Sequence, residues 1–319
     1  MINTFISKKA VKWAVTFLLV VSFPTLVVAE GADDKVGSVT FKFLNIQTDA
    51  RSAALGGLTA QGSGAQALFN NPAGIAGSGS SISAGVNQWL VETTIMNAGI
   101  VIPMAGGSFG LSFVSVDYGS IMASGWSGTD EFAFNPNAGE FQASDMAIGA
   151  SYAVSMSDKF KLGVTAKIIM ESIEDYNASG YALDIGSQFD TGYKGIRMGA
   201  TISNFGPDVD PQGEFNSMAL PQTFNFGIVG QAFGDENMGL VAGLNVVKTA
   251  DMAQEFILNG EFAVAGMAKF QFSYNMAENH RAPMSIGAGL NVAGIAVNLA
   301  MTSTENLDSI MRISVGASF

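Results

Sequence analysis

The sequence predicts an all-β fold, a transmembrane antiparallel β-barrel of about 14 strands with its N-terminal segment folded into the lumen. Three observations predict it. Hydrophobic residues make up 48% of the 319 positions and charged ones only 13%, with a mean hydropathy of +0.30, whereas soluble proteins carry about 25% charged residues. Downstream of residue 30 no run approaches the roughly 20 apolar residues of a spanning helix, and only helices and closed barrels satisfy the backbone in lipid. Finally, the chain stops on Arg312-Ile-Ser-Val-Gly-Ala-Ser-Phe319. Met311, Ile313, Val315, Ala317 and Phe319 fall on one face of such a strand, and Arg312, Ser314, Gly316 and Ser318 on the other.

After Gly79 the chain divides into about 14 alternating segments of the roughly 9 to 11 residues a tilted membrane strand needs. They centre on Ala84, Ala98, Ser112, Ala150, Ala166, Ile185, Ala200, Gly227, Gly243, Gly260, Phe272, Gly289, Val297 and Val315. The even count suits a bacterial single-chain barrel. Even-numbered connections are short, around Ala105-Gly106, Ser157-Asp158, Tyr193-Lys194, Asp235-Glu236, Ala265-Gly266 and Ala293-Gly294. Odd ones include long polar inserts at 117–141, 172–179 and 206–219, and moderate ones at 249–254, 278–283 and 302–309. Barrels of this kind keep short turns in the periplasm and long loops outside.

Alternation also assigns faces. Phe224, Phe226 and Ile228 point to lipid with Thr223, Asn225 and Gln231 inward, and Phe270, Phe272 and Tyr274 oppose Gln271, Ser273 and Asn275. In the fifth segment Leu162, Val164, Ala166 and Ile168 face out, which places Lys167 and Glu171 inside; Leu183 and Ile185 face out with Asp184 inside. Lys167 and Asp184 lie on neighbouring strands, where they can pair in the lumen. With Arg197, Glu261 and Arg312 they make the set of expected lumenal charges, read as structural ion pairs or solvated groups, with guidance of a ligand as the alternative. Gly287, Gly289 and Gly294 sit inside strand pattern and lack the strand–turn–helix context of a dinucleotide site. They suit curvature and close packing against a plug.

Residues 1–29 read as a secretory signal peptide: Lys8, Lys9 and Lys12 precede an apolar run, and Val27-Val28-Ala29 offers a cleavage site before Glu30. Its removal takes away three lysines and no acids, so the formal charge goes from −12 to −15. So acidic a chain argues against nucleic acid. The absence of cysteine removes disulfides, thiolate metal sites and cysteine nucleophiles. The single histidine, His280, falls in the eleventh connection beside Arg281, and no nucleophile with a base or metal cluster is legible. Asp130, Glu131, Glu140, Asp208 and Asp210 read as loop-solubilising acids that bridge surface lipid through divalent cations. Neither an enzyme nor a cofactor is expected.

Residues 30–79 differ from the rest, and residues 80–319 form the barrel. The segment holds Asp49-Ala-Arg-Ser-Ala-Ala-Leu-Gly-Gly57 and Ala65-Gln-Ala-Leu-Phe-Asn-Asn-Pro-Ala-Gly-Ile-Ala76, with one short helical stretch over 65–69 ended by Pro72. It is too small to fold alone, and the lumen is the surface available to it. Asp49 and Arg51 are read as hydrogen-bonding residues that fix this plug. Pro72 restricts Asn71 to extended conformations, and Gly57 and Gly74 allow tight turns.

These motifs resemble the PorV/PorQ group of the wider FadL-like family of outer-membrane barrels. The resemblance rests on Asp49 to Gly57 with Arg51, Gly56 and Gly57, and on Ala67-Leu-Phe-Asn-Asn-Pro-Ala-Gly74 with its core of Asn70, Asn71, Pro72, Ala73 and Gly74. Tyr152-Ala153, Gly163-Val-Thr-Ala-Lys-Ile-Ile, Asp184-Ile-Gly186, Ser203-Asn-Phe-Gly206 and Leu220-Pro221 extend it over nearly the whole chain after residue 29. The resemblance implies a 14-stranded barrel with a lumenal hatch in the outer membrane of a Gram-negative bacterium. It implies Phe319 as a signal for the barrel-assembly machinery, and outer-membrane lipid as surroundings. PorV and PorQ act with type IX secretion, which implies secretion-system proteins or exported cargo as partners. FadL-like relatives instead admit hydrophobic small molecules through a lateral gap in the wall, and that is the alternative.

Overall fold

The computed structural model describes residues 36–104, 106–123, 139–210, 217–235, 237–277, 282–305 and 307–319. The expected signal peptide, Asp130, Glu131, His280 and Arg281 lie outside the described residues. Fourteen strands follow a short N-terminal segment: β1 (Ser81–Gln88), β2 (Thr94–Met104), β3 (Gly107–Met122), β4 (Glu140–Ser155), β5 (Phe160–Ile173), β6 (Tyr176–Asp190), β7 (Arg197–Phe205), β8 (Thr223–Gly234), β9 (Met238–Thr249), β10 (Glu255–Val264), β11 (Ala268–Asn275), β12 (Met284–Val292), β13 (Ile295–Thr302) and β14 (Ile310–Ser318). Each pairs antiparallel with its chain neighbours, and β14 closes on β1 from Ser81↔Ser318 to Gln88↔Met311. All the expected strand centres fall inside these strands, so the barrel and its strand number are borne out.

The wall follows from side-chain alternation. In β11 Phe270, Phe272 and Tyr274 are about half exposed on the outside while Gln271, Ser273 and Asn275 are buried within. In β14 Met311, Ile313 and Val315 face out and Arg312 and Ser314 face in. Leu162, Val164, Ile168, Leu183 and Ile185 are likewise outside. A lipid-facing apolar face and a polar inner face is the arrangement a membrane barrel requires.

Two of the expected inserts are in part strand. Residues 172–179 are not a loop: β5 runs to Ile173 and β6 starts at Tyr176, leaving the turn Glu174-Asp175, with Glu174 in the left-handed region at φ 52. Likewise β3 and β4 continue into 117–141, pairing Ser120↔Gln142 to Met122↔Glu140 beyond an irregularity after Asp117; positions 124–138 of that insert lie outside the described residues. Apolar alternation marks only the lipid-facing length of a strand, whereas the backbone ladder continues with polar side chains beyond the bilayer. The alternation of long and short connections therefore breaks at the fifth.

The N-terminal segment threads the lumen. It meets the odd-connection end first, where Val39 bridges Ala219 and Lys42 Nζ lies 2.6 Å from Asp251 Oδ2. It ends at the even-connection end, where Ala65 N donates to Ser81 Oγ at the start of β1. Between them are a 3-10 turn (Lys42–Asn45), helix α1 (Ala50–Ala54) and two further 3-10 turns (Gly64–Phe69 and Pro72–Ile75). The sequence reading anticipated only the stretch over 65–69; α1 is too short to show periodicity. An upper core gathers Phe41, Phe43, Ile95, Val116, Ile169 and Leu220, and a lower one Ala65, Leu68, Ile75, Val101 and Ala153.

Candidate functional site

The Asn-Pro-Ala-Gly turn is seated directly on the wall. Asn71 is extended (φ −143°, ψ 106°), as the following proline demands, and its Oδ1 accepts from Ala73 N at 3.1 Å. Its Nδ2 donates to Thr59 O at 2.6 Å and to Ser187 O of β6 at 2.9 Å. Close approach is possible because the facing wall positions lack side chains: a Cβ on Gly186 would run into Asn71 Oδ1 and Pro72, one on Gly163 into Pro72 and Ala73, and one on Gly199 into Thr59 O. On the far wall a Cβ on Gly287 would meet Ala54 of α1. Asn70 Oδ1 faces Ser52 Oγ at 2.6 Å and accepts from Leu58 N at 3.3 Å, tying α1 to the motif.

Gly56 and Gly57 turn the chain after α1 with φ +61° and +116°. Gly74 does not serve as a left-handed turn. It lies in the last 3-10 turn, where a Cβ would press on Ala67 Cβ and Gly62 O, so its small size, not its conformational freedom, is what the packing uses.

Charged groups tie the segment to the wall. Asp49 caps α1 by accepting from Ser52 N at 2.9 Å, and burial pushes its carboxyl up from the ordinary aspartate range. Arg51 reaches across to β10 and donates from Nε and Nη2 to the two Glu261 oxygens at 2.7 and 3.0 Å. Lys269 Nζ, at 3.0 Å, and Gln271 Nε2, at 3.3 Å, share that carboxylate. Arg312 donates to Gln47 O at 3.1 Å and Thr302 Oγ1 at 2.7 Å, with its guanidinium 5.2 Å from the Trp89 ring centre. Lys167 and Asp184 form an ion pair at 2.7 Å, and Lys167 also donates to Asn204 Oδ1. Asp184 in turn accepts from Asn204 N, which sits at φ 59° where the β6–β7 register shifts. Glu171 lies opposite Asp145, whose carboxylate accepts from Tyr118. Arg197 is half-buried at the start of β7, opposite Asp190.

Sequence reasoning missed two wall amides. Asn245 of β9 donates to Gly56 O and Gly57 O at 3.1 and 3.2 Å, and Gln188 of β6 to Gly62 O at 3.0 Å. The signal was present: each is an amide at an inward position of its strand.

Above the segment, at the odd-connection end, lies a cavity of about 720 Å³. Leu44, Ile46 and Phe69 of the segment, with Trp89, Met252 and Leu307 of the odd connections, give it apolar surface; Asn45, Asn70 and Asn225 lie at its floor. No described residue of an even connection contributes to it. Beneath it the lower core is closed, with Leu68 and Ile75 almost wholly buried. Among the described residues no three His, Asp or Glu side chains gather as they would around a metal ion.

Protein-family models give no match to this chain, and neither do curated protein sequences. Solved structures do. A CymD monoaromatic hydrocarbon channel matches with a TM-score of 0.60 at 12% identity, over 86% of this chain and 98% of its own. The toluene transporter TodX of Pseudomonas putida matches with a TM-score of 0.59 at 12% identity, over 85% and 98%. This chain shares their fold, a closed 14-stranded barrel. At 12% identity the likeness is one of fold: it agrees with the 14-stranded barrel that the FadL-like resemblance implies and adds nothing on PorV/PorQ.

Proposed function

We propose that the protein is a passive outer-membrane channel for small molecules with a hydrophobic body, closed by its N-terminal hatch. The observation that carries this reading is the 720 Å³ vestibule above a floor of hatch residues hydrogen-bonded to β6, β9, β10 and β14. Its size falls within the roughly 300–1,000 Å³ of small-molecule sites. The likeness to hydrocarbon channels supports the same reading. So does one strip of wall: the β6–β7 register stops at Leu183↔Phe205, so that among the described residues Tyr176 to Ala182 of β6 have ladder partners on the β5 side only. Behind that strip the Phe41 ring and Val209 press on Gly180.

The test is uptake of radiolabelled toluene by cells with and without the gene. Slower uptake in the deletion strain, restored by the gene, is expected. Unchanged uptake with loss of exported proteins from the cell surface would replace this reading by the PorV/PorQ-like secretion role.

A further inference from the structure

Within the uptake reading, on which this inference rests, we propose that the vestibule selects neutral amphipathic molecules. Such a molecule has an apolar body and one uncharged hydrogen-bonding group, a hydroxyl or amide, and is favoured over both bare hydrocarbons and carboxylates.

The charges come first. The described lining holds three cations, Lys42, Lys167 and Arg312, and three acids, Asp184, Glu255 and Glu305. Every cation is engaged: Lys42 by Asp251, Lys167 by Asp184, and Arg312 by Gln47 O, Thr302 Oγ1 and the Trp89 face. Among the described residues a carboxylate entering this space would lose its hydration without meeting a free positive charge, and buried charge is costly unless paired.

The floor supplies the second half. Asn45 Nδ2, Asn70 Nδ2 and Asn225 Oδ1 have no hydrogen-bond partner among the described residues and are shielded from solvent, so a ligand in the cavity reaches them once these side chains shift. Together they offer two donors and an acceptor; the amide ends of Asn45 and Asn70 are set by the bonds their Oδ1 atoms accept, from Asn204 and Thr223 and from Ser52 and Leu58. A bare hydrocarbon over this floor leaves all three unpaired, whereas a hydroxyl or amide satisfies one or two of them. The apolar body then lies along Leu44, Ile46, Phe69, Trp89 and Leu307. An apolar pocket with a few polar groups at one end is how small-molecule sites orient their ligands.

The test uses the full chain after residue 29 in detergent micelles, with toluene, benzyl alcohol and benzoate as probes at pH 7. Binding is read by calorimetry and corrected for partition into empty micelles. Benzyl alcohol should bind about tenfold tighter than either of the others, which is what one or two net hydrogen bonds supply. In Asn225→Leu and Asn45→Leu, judged folded by heat-modifiable gel migration, that preference should vanish through weaker alcohol binding while toluene binds no more weakly. The comparison on the unaltered protein stands even if neither variant folds. Toluene binding equal to or tighter than benzyl alcohol would overturn the inference and leave the uptake reading standing, as would tightest binding of benzoate. Binding of none of the three would overturn both.

Discussion

Arg51 of the hatch and Glu261 of β10 are 210 positions apart in the chain yet share two hydrogen bonds, at 2.7 and 3.0 Å, with both side chains largely shielded from solvent. A two-point arginine–carboxylate pair fixes orientation as well as distance. Lys269 and Gln271 complete the carboxylate's shell, so this point of the wall is built to receive the hatch.

Removing one partner of a buried pair leaves the other uncompensated, at a cost of about 3 kcal/mol. Arg51→Met should therefore loosen the hatch and raise ion conductance in planar bilayers. Arg51→Met combined with Glu261→Gln should leak less than Arg51→Met alone. A double variant that leaks as the sum of its singles would show the pair to be uncoupled.

The buried Asp49 makes hatch seating dependent on pH. Because its carboxyl is pushed above its ordinary value of 3.8, the folded state binds the proton more tightly than the unfolded one. This contribution is fully present below pH 3.8 and is lost as pH rises through the raised value. Conductance should accordingly increase with pH over that range. Asn caps helices about as well as Asp, so Asp49→Asn should keep the channel closed and flatten the dependence; an unchanged pH profile would assign it to other groups.

Gly163 and Gly186 have no room for a methyl group beside Pro72 and Asn71, whereas a Cβ on Gly316 meets nothing closer than 3.4 Å. Overpacking costs about 1–3 kcal/mol. Gly163→Ala and Gly186→Ala should unseat the hatch, seen as faster proteolysis of the N-terminal segment in micelles, while Gly316→Ala should not. Equal protection in all three would mean that the wall yields instead.

The connections predict orientation. Asp308 lies in an odd connection and Ser157 in an even one. A cysteine at Asp308 should react with an impermeant maleimide on intact cells, and one at Ser157 only after permeabilisation. The reverse pattern would invert the barrel.

The sequence by itself determined the wall. Lipid outside and a polar lumen inside impose a period of two on every strand, a local property that can be counted along the chain, and the strand number, the outward faces of β5, β6, β8 and β11 and the closing alternation of β14 were all legible that way. Only the tertiary structure decided what the lumen holds. That β5 and β6 run past the bilayer to a two-residue turn depends on backbone pairing, which hydrophobicity does not record. That Arg51 meets Glu261, that Gly74 serves packing, and that Asn245 and Gln188 hold the hatch backbone depend on strand register and on how deep the segment sits. Register is a relation between distant parts of the chain, and a single sequence carries it only once the wall has closed.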